Sequence, residues 1–145
     1  MPGAPTEIGY GVFAGVKLIG YMGAAKALKW GYPESRHGAL TVGAARTAIG
    51  MAAGLAYGAM WIWVLEKALM PGVNEITMLS IYYFVLLLPL RVAEWGFTIW
   101  LFFDRGFRDK GKLMKWIGLG ILCSYLLDAI GLISAFVVPG GFWIC

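Results

Sequence analysis

The sequence predicts an all-α, multi-pass integral membrane protein that folds as one bundle of four transmembrane helices. Hydrophobic residues make up 60% of the 145 residues and charged residues only 14%, whereas soluble domains are about one-quarter charged. The apolar residues fall in four stretches, each with the roughly 20 residues needed to cross about 30 Å of hydrocarbon. The predicted spans are residues 8–30, 39–65, 76–103 and 113–138.

Short polar segments separate these spans, with the sequences GYPESRHG, EKALMPGVNE and DRGFRDKGK. Each combines glycine or proline with charged residues, a composition that ends helices. None is long enough to form a soluble domain, so we expect a single transmembrane domain over residues 1–145. The N-terminal segment lacks the basic region and cleavage site of a secretory signal peptide, and we therefore expect the first span to be retained.

Basic residues are concentrated in the first and third connecting segments. The first contains Arg36 and follows Lys26 and Lys29, and the third contains a larger cluster: Arg105, Arg108, Lys110 and Lys112. Four spans place these two segments on the same side of the membrane, and cytoplasmic loops carry the excess of Lys and Arg. The pattern predicts that both termini lie outside and that these two segments are cytoplasmic.

Glycines four residues apart occur in the first two spans: Gly11 and Gly15, then Gly50, Gly54 and Gly58. Small residues at this spacing form a groove that lets two helix backbones approach closely, which is a main source of helix association in lipid. We predict that the first two helices pack tightly as a hairpin through these glycines. A subunit interface is the alternative use of the same groove.

Four ionisable residues lie far from the predicted helix ends, where a charge costs several kcal/mol unless it is paired or hydrated. A rise of about 1.5 Å per residue places them about 15 to 20 Å from the cytoplasmic ends of their spans: Lys17, Arg91, Glu94 and Asp128. We predict that Arg91 pairs with Glu94, three residues away on one helix, and that Lys17 pairs with Asp128 across helices. The alternative for Lys17 is that its long side chain extends toward the interface.

Three further polar residues are expected near this layer: Arg46, Thr98 and Ser124. Arg46 has two interpretations, because the 19 residues from Thr47 to Leu65 carry no charge and can span the membrane alone. In that case Arg46 marks the inner interface. Asp128 is the strongest functional candidate, since a short carboxylate cannot reach the interface and must be paired, protonated or hydrated.

The chain contains few of the residues that membrane enzymes and metal sites use. Its single histidine, His37, lies in the first connecting segment, so bis-His haem and His-rich di-iron sites cannot be built from this chain alone. Its two cysteines form no Cys-x-x-Cys, and P-loop, G-x-S-x-G and H-E-x-x-H motifs are absent. We expect no metal, no cofactor and, because the cations form no single solvated face, no nucleic-acid partner.

Three functional hypotheses fit this pattern. The leading one is a non-catalytic subunit or assembly element of a larger membrane complex, based on short loops, glycine-rich helices and intramembrane charges that can pair with a partner. The second is a small homo-oligomeric transporter or channel that uses the charge layer for protons or small ions. The third is a lipid-modifying enzyme whose third-loop cations hold an anionic head group, although the same cations also serve as a topology signal and attract anionic lipids.

Overall fold

Four helices form the fold: α1 (Glu7–Gly31), α2 (Ala39–Lys67), α3 (Ile76–Phe102) and α4 (Lys110–Ser134). The structure is a computed structural model and describes residues 7–67 and 76–134. Each helix contains at least 18 consecutive residues with the length and apolar composition of a membrane span. The prediction of an all-α bundle with four membrane-spanning helices is therefore confirmed.

The helix boundaries differ from the predicted ones by no more than three residues where both are described. The largest difference is at the start of α4, which begins at Lys110 rather than at Leu113. Asp109 explains the earlier start, because its Oδ1 accepts a hydrogen bond from the backbone N–H of Lys112 at 2.9 Å and so caps the first turn. Residues 1–6, 68–75 and 135–145 lie outside the described residues, and with them the predicted end of the fourth span.

The helices are arranged as a ring in which α1 and α3 each pack between α2 and α4. Neighbouring helices are antiparallel. Gly20 of α1 lies against Leu127 of α4, and Phe13, earlier in α1, lies against Gly131, later in α4. Up-and-down connectivity with short loops produces this arrangement, because each helix must return beside the one before it.

The first and third connecting segments meet at one end of the bundle. The hydroxyl of Ser35 donates to the carbonyl oxygen of Phe102 at 2.9 Å, and the ring centroids of His37 and Phe102 are 5.1 Å apart. Asp104 closes the third segment on itself by accepting hydrogen bonds from two backbone N–H groups of that segment. We call this part of the molecule, residues 32–38 and 103–112, the basic end.

Trp95 of α3 is the central side chain of the core and is 1% exposed. Its indole Nε1 donates to the Oγ of Ser124 on α4 at 2.9 Å, and its ring meets the ring of Tyr21 on α1 edge-on, with 5.8 Å between centroids. Leu28 and Ile99 extend the same buried cluster toward the basic end. One indole therefore joins three of the four helices.

Most of the glycines predicted to pack helices together do not do so among the described residues. A Cβ at three of them would meet no described atom within 4 Å: Gly11, Gly15 and Gly58. A Cβ at Gly50 would lie 3.0 Å from Nη1 of Arg46 on its own helix, and Gly54 is buried. Among the described residues Gly11, Gly15 and Gly58 thus contact no other helix, because a four-residue spacing defines a stripe without fixing which way the stripe faces.

The predicted tight packing of α1 on α2 is present, but a different glycine carries it. A Cβ at Gly43 would lie 3.0 Å from the backbone nitrogen of Met22 and 3.2 Å from its Cα. Only a glycine allows the two backbones to approach this closely. Gly43 belongs to none of the glycine pairs four residues apart, so the spacing rule did not find it.

Gly120 of α4 should tolerate no side chain, because a Cβ there would overlap the ring of Trp95. We expect Gly120→Ala to lower the free energy of unfolding by about 1 to 3 kcal/mol, the usual cost of overpacking a core. Gly118→Ala is the matched control, since a Cβ at Gly118 meets no described atom within 4 Å. Thermal unfolding in detergent, followed by circular dichroism, measures both variants; equal melting temperatures would contradict this packing.

Candidate functional site

Five charged side chains from all four helices meet inside the bundle. They are Lys17 of α1, Arg46 of α2, Arg91 and Glu94 of α3, and Asp128 of α4. Each is 4% exposed or less. Because an unpaired charge is costly to bury, the pairing of these side chains decides what the site can do. We call the five residues the charge chain.

The charge chain is one continuous series of ion pairs in which cations and anions alternate. Nζ of Lys17 lies 2.9 Å from Oδ1 of Asp128, and Oδ2 of Asp128 accepts a hydrogen bond from Nη2 of Arg91 at 2.8 Å. Nη1 of Arg91 donates to Oε2 of Glu94 at 3.1 Å, and the same oxygen accepts from Nη2 of Arg46 at 2.6 Å. The series therefore crosses the bundle from α1 through α4 and α3 to α2.

Both ion pairs predicted from the sequence are present, Arg91 with Glu94 and Lys17 with Asp128. The contact between Arg91 and Asp128 joins the two pairs and was not predicted. Spacing along one helix identifies partners on that helix, but it does not reveal which other helix lies beside it. The ring arrangement, which places α3 next to α4, supplies that contact.

Arg46 lies in the bundle interior, which corrects its interpretation as an interface residue. Its Cα is seven residues into α2, about 10 Å along the axis from the helix start, but its side chain is 1% exposed and pairs with Glu94. The guanidinium carbon lies 4.8 Å from the ring centroid of Tyr21 and 5.0 Å from that of Trp95. Two aromatic rings thus stabilise this cation beside its carboxylate.

Thr98 and Ser124 are fully buried and belong to the surroundings of the charge chain. Thr98 donates to the main-chain carbonyl of Glu94 at 2.7 Å rather than to a carboxylate. Ser124 accepts from the indole of Trp95 and lies 3.3 Å from the hydroxyl of Tyr21. Ser124 therefore positions the rings of Tyr21 and Trp95, which contact the guanidinium of Arg46.

Sequence reasoning missed Tyr21 and Trp95 as parts of the site. The signal that identifies them is their position beside predicted charged residues: Tyr21 lies four residues after Lys17 on the same helix face, and Trp95 follows Glu94 directly. An aromatic residue next to a buried cation at this spacing is a candidate cation–π partner. Tyr21 and Trp95 were counted only among the hydrophobic residues of their spans.

The charge chain contains three cations and two anions, a net charge of +1 when all five groups are ionised. Each carboxylate already has two cationic partners. Nε and Nη1 of Arg46 are buried and have no hydrogen-bond partner within residues 7–67 and 76–134. A surplus buried cation is stabilised by an anion, by water or by aromatic rings, or it loses its proton. The arrangement can therefore hold an anion beside Arg46.

The basic cluster of the third loop lies apart from the charge chain, at the basic end. Three of its members are exposed: Arg105, Arg108 and Lys110. Lys112 is half-buried, and its Nζ lies 4.2 Å from the ring centroid of Tyr32. Burial, followed by the charges of Asp104 and Asp109, raises the pKa of the Tyr32 hydroxyl, so this ring stays neutral beneath the ammonium group. In the described part of the chain, no cluster of three or more His, Cys, Asp and Glu can hold a metal.

Because the charge chain has a net charge of +1, removing a carboxylate should lower the free energy of unfolding more than removing Lys17, the cation at one end of the chain. Asp128→Asn leaves Lys17 and Arg91 without their shared anion and raises the net charge to +2, so we expect a loss of about 3 to 5 kcal/mol in unfolding free energy. Lys17→Met lowers the net charge to zero and leaves Asp128 paired with Arg91, so its loss should be smaller.

Unfolding of both variants in the same detergent measures this difference. Glu34→Gln at the exposed basic end is the control, with an expected change within about 0.5 kcal/mol. A Lys17→Met variant as unstable as Asp128→Asn would show that charge balance does not govern the site.

Comparison with known proteins finds no match for this chain among protein-family models, curated proteins or solved structures. No residue role can therefore be transferred from a relative.

Proposed function

We propose that this protein is a small transporter or channel for ions, that it works as a homo-oligomer, and that it binds an anion at Arg46. The supporting observation is the surplus cation of the charge chain, together with the two nitrogens of Arg46 that have no hydrogen-bond partner among the described residues. We also propose that the basic end faces the cytoplasm and that both termini lie outside, in line with the positive-inside rule.

The charge balance favours an anion over a cation or a proton as the transported species. Asp128 is paired with Lys17 and Arg91, and Glu94 with Arg91 and Arg46. Neither acid is left over for a transported cation. A guanidinium remains charged at every physiological pH and donates several hydrogen bonds, which suits a small oxyanion or halide.

Glu94 provides a means of exchange at this site. Its Oε2 accepts from both Arg46 and Arg91, so it can release Arg46 to an incoming anion and stay paired with Arg91. Because Arg46 belongs to α2 and Glu94 to α3, this exchange loosens the contact between two helices. Binding and helix movement are then coupled through one carboxylate.

A homo-oligomer is part of the proposal because four helices with a tightly filled centre leave little room for a continuous pathway. Trp95, Tyr21 and Arg46 occupy the middle of the bundle and are each 1% exposed or less. Several copies of a short chain commonly enclose a pathway that one copy cannot, and closed symmetry is the default for such assemblies.

Flux through proteoliposomes tests the proposal. We expect efflux of at least one anion from a panel of fluoride, chloride, nitrate, formate and phosphate above that of empty vesicles. Arg46→Met should lower this efflux about tenfold or more, the effect of losing one hydrogen bond to a charged group. Arg36→Met, in the exposed first loop, should leave it unchanged. Absence of flux for every anion and for protons would overturn the proposal.

The second candidate function is a non-catalytic subunit or assembly element of a larger membrane complex. The observation that favours it is the outward stripe of α1, where a Cβ at Gly11 or Gly15 would meet no described atom within 4 Å. The buried pair of Lys17 and Asp128 does not favour it, because the two side chains form an ion pair with each other within this chain. Gentle extraction followed by native mass measurement separates the candidates: larger partners at fixed stoichiometry support a subunit, and a homo-oligomer supports the transporter.

A further inference from the structure

A groove runs along the outer face of the bundle between α1 and α4. Its inner part has a volume of about 270 Å³ and is lined by apolar or small residues, among them Gly23, Ala24, Leu28, Trp95, Leu119 and Gly120. Gly23 and Leu119 are exposed, so this part opens to the outside. A second cavity of about 790 Å³ shares Ala27, Trp116 and Leu119 with the first and continues to the basic end. We call the two together the α1/α4 groove.

We propose that the α1/α4 groove binds one anionic phospholipid, with an acyl chain in the inner part and the phosphate at Lys112 and Lys115. Both lysines line the outer part of the groove. This inference does not depend on the charge chain or on the proposed transport function. It identifies a lipid site lined by Trp95, whose ring also contacts Arg46.

The inner part of the groove has the shape and chemistry for an acyl chain because glycines form it. A Cβ at Gly23 would meet no described atom within 4 Å, so the missing side chain leaves space there. Gly120 lets α4 pack on the ring of Trp95, which forms the floor. The outer surface of a membrane-spanning bundle faces lipid tails, and an apolar furrow on it is filled by one of them.

The outer part of the groove has the charge for an anionic head group. Lys112 and Lys115 contribute two positive charges, and Asp109, which caps α4 through the backbone N–H of Lys112, contributes one negative charge. Trp30, which is 86% exposed, and Trp116 flank this part. Indole rings prefer the head-group level of a bilayer, so the lysines lie where a lipid phosphate is found.

Charge complementarity distinguishes an anionic lipid from a neutral one. Each lysine near the membrane surface favours an anionic lipid about fivefold, and a zwitterionic head group cancels most of that attraction. A second copy of this chain would fill the apolar part of the groove but would not need the two lysines. The two lysines therefore favour an anionic lipid in the groove over a neutral lipid or a second copy of this chain.

Native mass spectrometry of the purified protein, titrated with phosphatidylglycerol or with phosphatidylcholine of the same acyl chains, tests the inference. We expect phosphatidylglycerol to bind about fivefold tighter or more, and Lys112→Gln with Lys115→Gln to remove the preference. Lys26→Gln is the matched control, since Lys26 is exposed on α1 and does not line the groove. Glycerol phosphate at the same concentration should not displace the lipid, because it lacks the acyl chain.

Gly23→Leu tests the apolar part without disturbing the fold, since its Cβ has space. We expect it to lower the binding of both lipids, whereas Gly11→Leu, equally open but outside the groove, should not. Equal affinity of the wild-type protein for the two lipids would overturn the inference. Binding unaffected by Gly23→Leu, or displacement by glycerol phosphate alone, would also overturn it.

Discussion

The structure depends on two carboxylates that each hold two cations. Asp128 pairs with Lys17 and Arg91, and Glu94 pairs with Arg91 and Arg46, so Arg91 is common to both. These four contacts connect all four helices at one buried layer. Removing one partner from a buried pair leaves a charge uncompensated at a cost of several kcal/mol. No helix can therefore shift alone without losing at least one of these ion pairs.

The charge balance of this layer supports a functional role. The charge chain carries one cation more than anions and ends at the guanidinium of Arg46, whose Nε and Nη1 have no hydrogen-bond partner among the described residues. Trp95 connects this end to the rest of the molecule. Its ring contacts the guanidinium of Arg46 and also forms the floor of the α1/α4 groove. A lipid in the groove would thus contact the same indole ring that packs against Arg46, the proposed anion-binding residue.

The sequence was sufficient for the fold class and for two of the four ion pairs. Apolar length defines spans, and a three-residue spacing brings Arg91 and Glu94 together whatever surrounds them. It was insufficient for Arg46, because counting along the helix axis locates a Cα and ignores the reach of a long side chain that packs inward between two rings. It was also insufficient for the packing glycines, since the neighbours of Gly43 and Gly120 are determined by the ring arrangement rather than by local spacing.

Anion binding at Arg46 is tested most directly by the melting temperature of the purified protein, measured against anion concentration at constant ionic strength. A ligand that binds only the native state stabilises it by about 2.7 kcal/mol at a hundred times its Kd. We expect a saturable rise in melting temperature with at least one small anion for the wild-type protein and no rise for Arg46→Met. A wild-type melting temperature that is the same in every anion, or an equal rise in Arg46→Met, would contradict it.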